Sequence, residues 1–221
     1  WNEIKTTLGY FPEDVIPFSV ADMEFDMVPE IREGLKRFLD ENVMGYANMT
    51  DACRQAVVSW EERRHGWKIQ PEWIRDTPGV INAFFTAVKA FTRPGEGVML
   101  MTPVYYPMYF AVSRLDRKLV DAPLVREGDT YRIDFQDFRQ KAADPNTRLL
   151  ILCSPHNPSG RVWTREELEQ IGRICIDNQV LVVSDEIHCD LLMPGHKHIP
   201  FGSIREEFAL HSIVCTAPSK T

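Results

Sequence analysis

The sequence has no apolar run long enough to cross a bilayer. Its longest uninterrupted stretches, such as Leu149–Cys153 and Val180–Val183, fall far short of the roughly 20 residues a spanning helix needs. It has no positive excess either. The 25 lysines and arginines are outnumbered by 32 aspartates and glutamates, giving a net charge of −7, which argues against a general nucleic-acid binder. Paired cysteine spacing is missing. The cysteines at 53, 153, 175, 189 and 215 are odd in number, which predicts reduced, buried thiols in a cytoplasmic protein rather than a disulfide framework. There is no internal repeat and no low-complexity tract. The opening Trp1-Asn2-Glu3 lacks the basic and apolar regions of a signal peptide. What remains, 44% hydrophobic and 26% charged residues over 221 positions, is a soluble globular chain of about one large domain.

Residues 1–32 read as an irregular arm, part of a small domain. Pro12, Pro17 and Pro29 interrupt it, and Val15–Val20 is its one strand-like piece. Residues 33–221 read as a large domain. Ile31, Leu35, Phe38 and Leu39 recur at helical spacing from Pro29 to Glu41, and Ala52, Ala56, Val57 and Trp60 do so over Asp51–Arg64. Val80–Phe91 is predicted as a helix with Ile81, Phe84, Phe85, Val88 and Phe91 on its buried side. Further helices are expected over Tyr109–Arg114, Ile133–Ala143 and from an N-cap at Thr164 to Asp177. Between them lie short apolar runs at Val98–Met101, Lys118–Asp121, Arg148–Cys153, Val180–Ser184 and Ser212–Thr216. Strands that are apolar on both faces and alternate with helices predict a three-layer α/β domain around a mainly parallel sheet.

Ligands of such sheets sit beyond the carboxyl ends of the strands. Three of those ends carry unusual polar residues: Ser154-Pro155-His156-Asn157-Pro158-Ser159-Gly160, then Asp185-Glu186-Ile187-His188, then Ala217-Pro218-Ser219-Lys220. An amide, a carboxylate and an amine would gather along one edge. An amine can form a Schiff base with an aldehyde cofactor. Pyridoxal phosphate works as an electron sink while its ring nitrogen stays protonated, which a fixed carboxylate ensures. Thr77-Pro78-Gly79, leading straight into the Val80 helix, offers backbone N–H groups for a phosphate.

These segments, together with Arg161-Val162-Trp163, Val20-Ala21-Asp22-Met23-Glu24-Phe25, Gly45-Tyr46 and Thr102-Pro103-Val104-Tyr105, occur in an order that resembles the fold-type I pyridoxal-phosphate enzymes. Within the class I/II aminotransferase superfamily the chain looks most like the MalY/PatB cystathionine β-lyase (C–S lyase) branch. The resemblance implies the aspartate-aminotransferase fold and pyridoxal 5'-phosphate as cofactor. By it, Lys220 would be the catalytic, cofactor-linked lysine and proton-transfer base. Asp185 would pair the ring nitrogen, Asn157 would hold the phenolic oxygen and Tyr105 would stack on the ring. Ser219 with the amides of Val80 and Ile81 would bind the phosphate, and Tyr46 would reach the phosphate of a partner subunit in a homodimer. His188, where the aspartate-aminotransferase branch usually has tyrosine, follows the lyase pattern; it reads equally as a structural histidine. Family members run to nearly twice this length. The resemblance therefore implies a fragment, inactive alone, with the arginine that clamps the substrate carboxylate beyond residue 221 and one sheet face left bare.

The expected reaction is β-elimination from cystathionine or cysteine-type amino acids. Transamination shares its first step and stays open, as does a non-catalytic fragment keeping only the fold. The run His188, Cys189, Asp190, His196, His198 contains metal-ligand types, but no Cys-x-x-Cys or His-Glu-x-x-His spacing, so no metal is expected. No membrane or nucleic-acid partner is expected.

Overall fold

A computed structural model of the chain describes Ala21 and residues 25–220. The strand-like Val15–Val20, and Asp22, Met23 and Glu24 of the quoted motif, lie outside the described residues. Two compact units divide the chain: residues up to Ala47 together with Lys220, and Asn48–Ser219. Among the described residues no helix is long and apolar enough to cross a membrane.

In the first unit, helix α1 (Pro29–Glu41) forms where the periodicity placed it, with proline in its first turn. Its apolar stripe is not covered: Ile31, Leu35, Phe38 and Leu39 are all at least half exposed.

The second unit begins with α2 (Asp51–Trp60), capped by the Thr50 hydroxyl. The expected helix to Arg64 does not stay regular. A π-helical turn, Glu61–His65, widens its end and closes on Gly66 in the left-handed region. The widening turns Glu61 inward, whereas the expected stripe through Ala52, Ala56, Val57 and Trp60 is not buried. Helix α3 (Val80–Phe91) has the expected ends. Its buried stripe is Val80, Phe84, Ala87 and Val88. Ile81 and Phe91, expected inside, are 41% and 58% exposed, so the stripe is rotated one position toward Val80.

Strands β1 (Gly97–Leu100), β2 (Lys118–Asp121), β5 (Thr147–Cys153), β6 (Leu181–Asp185) and β7 (Ser212–Cys215) form one parallel sheet in the order β2-β1-β5-β6-β7. Helices α4 (Tyr106–Ser113), α5 (Phe135–Ala142), α6 (Arg165–Asp177) and α7 (Glu206–Leu210) complete the layers. A hairpin of β3 (Val125–Glu127) and β4 (Thr130–Arg132), and the short α7, had no signal in the sequence reading. Side chains alternate across β5. Leu149, Ile151 and Cys153 pack with α3 and α4, while Leu150 and Leu152 pack with Phe138, Leu168, Ile171 and Phe208 from α5–α7. Both faces of β1, β5 and β6 are therefore covered, apart from Arg148 and Leu181 near the strand starts, and the expected bare face does not occur; the outer strands β2 and β7 are more exposed. Four cysteines are buried as expected, but Cys53, on the open side of α2, is exposed.

Candidate cofactor site

The strand order reverses direction between β1 and β5, so their carboxyl ends splay and open a crevice there. Register brings the ends of three strands level: Cys153, Asp185 and Cys215 lie side by side across β5, β6 and β7. Ser154 N–H donates to the Asp185 carbonyl at 2.9 Å, and Glu186 N–H to the Cys215 carbonyl at 2.8 Å, carrying the ladder one step past the strands.

Asp185 is 4% exposed. Its carboxylate accepts the Ile187 N–H at 3.2 Å. Burial pushes its carboxyl up to about 6; the Ile187 bond opposes this, the Glu186 charge adds to it, and among the described residues no cation acts on it. Tyr105, at the N-terminus of α4 just beyond β1, lies within the field of Asp185. Burial raises its phenol, with Tyr106 and Asp185 adding.

Asn157 sits on a loop that is held from several sides. Its N–H donates to Cys153 Sγ at 3.3 Å. His156 is buried; its Nδ1 lies 2.7 Å from Ser159 Oγ, and burial lowers it to about 4, so it is neutral at physiological pH. Trp163 Nε1–H donates to the Cys153 carbonyl at 2.9 Å, and the Arg161 guanidinium grips both oxygens of Glu167. Thr164 and Glu167 form a capping box that starts α6. The sequence marked this loop for Asn157; His156 and Trp163, which brace it, were not singled out. Asn157 and His188 line one pocket of about 320 Å³, with His156, Leu191, Met193 and His196 on its walls.

The Val80 end of α3 has no side-chain cap. Gly79 precedes it at φ 91°, a conformation that suits glycine, and Thr77 and Asn82 bond back to the turn through Gly79 and Pro78 carbonyls. The first N–H groups of α3 are thus left for an anion. Ser219 is exposed in the short turn Pro218–Lys220 after β7. The structure so gathers Asp185, Asn157, His188, Tyr105, Val80, Ile81 and Ser219 in one unit. Lys220 and Tyr46 belong to the other: Lys220 Nζ donates to the Ala21 carbonyl at 3.0 Å, and Tyr46 is fully exposed.

These residues fit a pyridoxal phosphate. A dry carboxylate on which no cation among the described residues acts suits a protonated ring nitrogen, a phenol lies within its field, and an uncapped helix start suits a dianionic phosphate.

Residues 13–220 match the family model for aminotransferase class I and II. The chain is 47% identical over 221 residues to cystathionine beta-lyase PatB of Bacillus subtilis, covering all of this chain and 57% of that protein. It is 32% identical over 212 residues to protein MalY of Escherichia coli, covering 95% and 54%. Among solved structures, cystalysin from Treponema denticola, whose crystal structure contains a pyridoxal 5'-phosphate cofactor, superposes with a TM-score of 0.97 at 45% identity, covering all of this chain and 56% of that one. The chain spans a little over half the length of these relatives.

Proposed function

The chain belongs to the class I and II aminotransferase family, and from that premise we propose that it carries the cofactor-binding part of a pyridoxal-phosphate-dependent C–S β-lyase. Its substrates would be cystathionine- or cysteine-type amino acids, split with water into a thiol, pyruvate and ammonia. The observation that carries the reading is Asp185: a buried carboxylate on which no cation among the described residues acts, level with the Asn157 and Ser219 loops at the strand ends. The 47% identity to a protein named as a cystathionine β-lyase, and His188 three residues after Asp185, favour elimination over transamination.

Pyridoxal phosphate supplies an electron sink that makes a substrate α-proton removable. Asp185 would hold the ring-nitrogen proton, and the Asn157 amide would donate to the phenolic oxygen. Tyr105 would stack on the ring. The N–H groups of Val80 and Ile81, with Ser219 Oγ, would hold the phosphate. Lys220 would anchor the cofactor and take the α-proton, and His188 would line the approach. Residues 33–221 belong to the large domain and the arm 1–32 to the small one. Tyr46, exposed in this chain, would reach the phosphate of a second subunit in a C2 homodimer. Five unpaired cysteines accord with a cytoplasmic location.

The test uses the complete protein. Borohydride should fix the cofactor on Lys220, and cystathionine should yield pyruvate. Cofactor on Lys89 or Lys118 removes the lysine assignment; amino transfer to a keto acid without pyruvate makes the protein an aminotransferase.

A further inference from the structure

Behind the strand edge, the π-turn Glu61–His65 meets the segment that follows β6, both within the Asn48–Ser219 unit. His65 Nε2, Cys189 Sγ and an Asp190 carboxylate oxygen all lie within 4.8 Å of one another. His65 Nε2 stands 3.1 Å from Asp190 Oδ1, and their side chains are only 6% and 8% exposed. Among the described residues neither atom has an aligned hydrogen-bond partner. Two tetrahedral ligands about 2.0–2.2 Å from a zinc ion lie about 3.3 Å apart, so the pair has the separation of a coordinated edge. The second Asp190 oxygen accepts the Trp60 indole N–H at 3.1 Å, which fixes the carboxylate as outer-shell partners of metal ligands do. A pocket of about 260 Å³, walled also by Arg64, His196 and Lys197, adjoins the three side chains and leaves room for a water as fourth ligand.

We propose that His65, Cys189 and Asp190 form a binding site for a divalent cation of the zinc class. Binding expels the Cys189 proton to solvent, so one proton is released per ion, and a thiolate with a carboxylate neutralises the two charges of the metal. Neutral imidazole is the form that binds. The run from His188 to His198 lacked zinc spacing because its third ligand comes from the end of another helix.

The complete, cofactor-loaded protein is titrated with Zn²⁺ against a competing chelator, and separately with Co²⁺. One ion per chain is expected, with a thiolate-to-cobalt charge-transfer band. Cys189→Ser and His65→Ala should each weaken binding at least ten-fold, and Cys189→Ser should lose the band, with cofactor absorbance and circular dichroism reporting retained folding. Cys53→Ser, altering an exposed thiol, should change nothing. Arg64→Gln supplies a gain-of-function arm that misfolding cannot imitate. Its Nε lies 3.9 Å from Asp190 Oδ1, so removing this cation should tighten binding a few-fold. Absence of stoichiometric binding, binding unchanged by Cys189→Ser and His65→Ala, or weaker binding in Arg64→Gln overturns the proposal. None of these outcomes depends on the reaction the protein catalyses.

Discussion

Replacing Asp185 with asparagine should stabilise the cofactor-free protein at alkaline pH while disabling the loaded one. The carboxyl stands at about 6 in the folded chain against 3.8 when free of its surroundings. Between those values the native state binds more protons than the unfolded state, so stability falls as pH rises through the window and is flat above it. The two-unit difference amounts to about 3 kcal/mol at pH 8 and, by the same binding relation, about 1.6 kcal/mol at pH 5. Asparagine does not titrate and escapes this cost. Burying its amide takes back about 1–3 kcal/mol at every pH. The absolute gain is therefore modest, but its change with pH is free of the amide: the variant should gain about 1.4 kcal/mol on wild type between pH 5 and pH 8. Urea unfolding of the cofactor-free complete proteins at both values measures it. A difference that ignores pH, or grows toward acid, would refute the reading of Asp185 as a dry, uncompensated carboxylate. With cofactor present the sign reverses. The variant loses a charge-assisted contact of about 1.5–3 kcal/mol, or ten- to a hundred-fold in cofactor affinity, and more in turnover.

A mixed dimer of Tyr46→Phe and Lys220→Ala subunits should recover about half of wild-type activity if Tyr46 acts across the interface, since one site then carries both defects and the other neither; no recovery places Tyr46 in its own subunit's site. Gly172→Ala should cost about 1–3 kcal/mol in urea unfolding. The added Cβ would lie 2.4 Å from the Phe208 ring, which is stacked on Phe201 and has nowhere to retreat. An unchanged midpoint would mean that the α6–α7 contact yields more easily than its geometry states. Thr164→Ala removes the capping box and should cost about 0.5–2 kcal/mol with the cofactor spectrum unaltered; a lost spectrum would tie the cap to the Asn157 loop.

The parallel sheet was legible because strands buried on both faces read as unbroken apolar runs, as Leu149–Cys153 does, and the capping box at Thr164 because its chemistry is local. The strand-end motifs were legible for the same reason: each lies within a few residues of its strand. What escaped was set by packing at a distance. The rotation of α3 that exposes Ile81 follows from which helices meet the sheet. The π-turn brings Glu61 among groups from the other half of the chain: burial and the charges of Glu186 and Asp190 push its carboxyl up to about 7, opposed by His198. The meeting of His65 with Cys189 and Asp190 leaves no periodic trace at all.

Asp185 and Glu186 show why burial alone does not identify a functional carboxylate. The two are consecutive and almost equally buried, at 4% and 2% exposure. Successive side chains at a strand end turn to opposite faces, so the two meet different environments. Glu186 is saturated: it accepts Ser184 Oγ–H at 2.8 Å and Phe201 N–H at 2.9 Å, and its other oxygen lies 2.7 Å from His198 Nε2. Those contacts tie the loop after β6 back onto the strand, and a buried carboxylate so provided for is structural. Among the described residues Asp185 has one long backbone bond and no cation acting on it. A desolvated charge left in that state destabilises the empty protein, and the cost is offset when a cationic ring nitrogen arrives. The asymmetry between neighbours, one satisfied from within the chain and one awaiting a partner, therefore separates the residue that builds the strand edge from the residue that uses it.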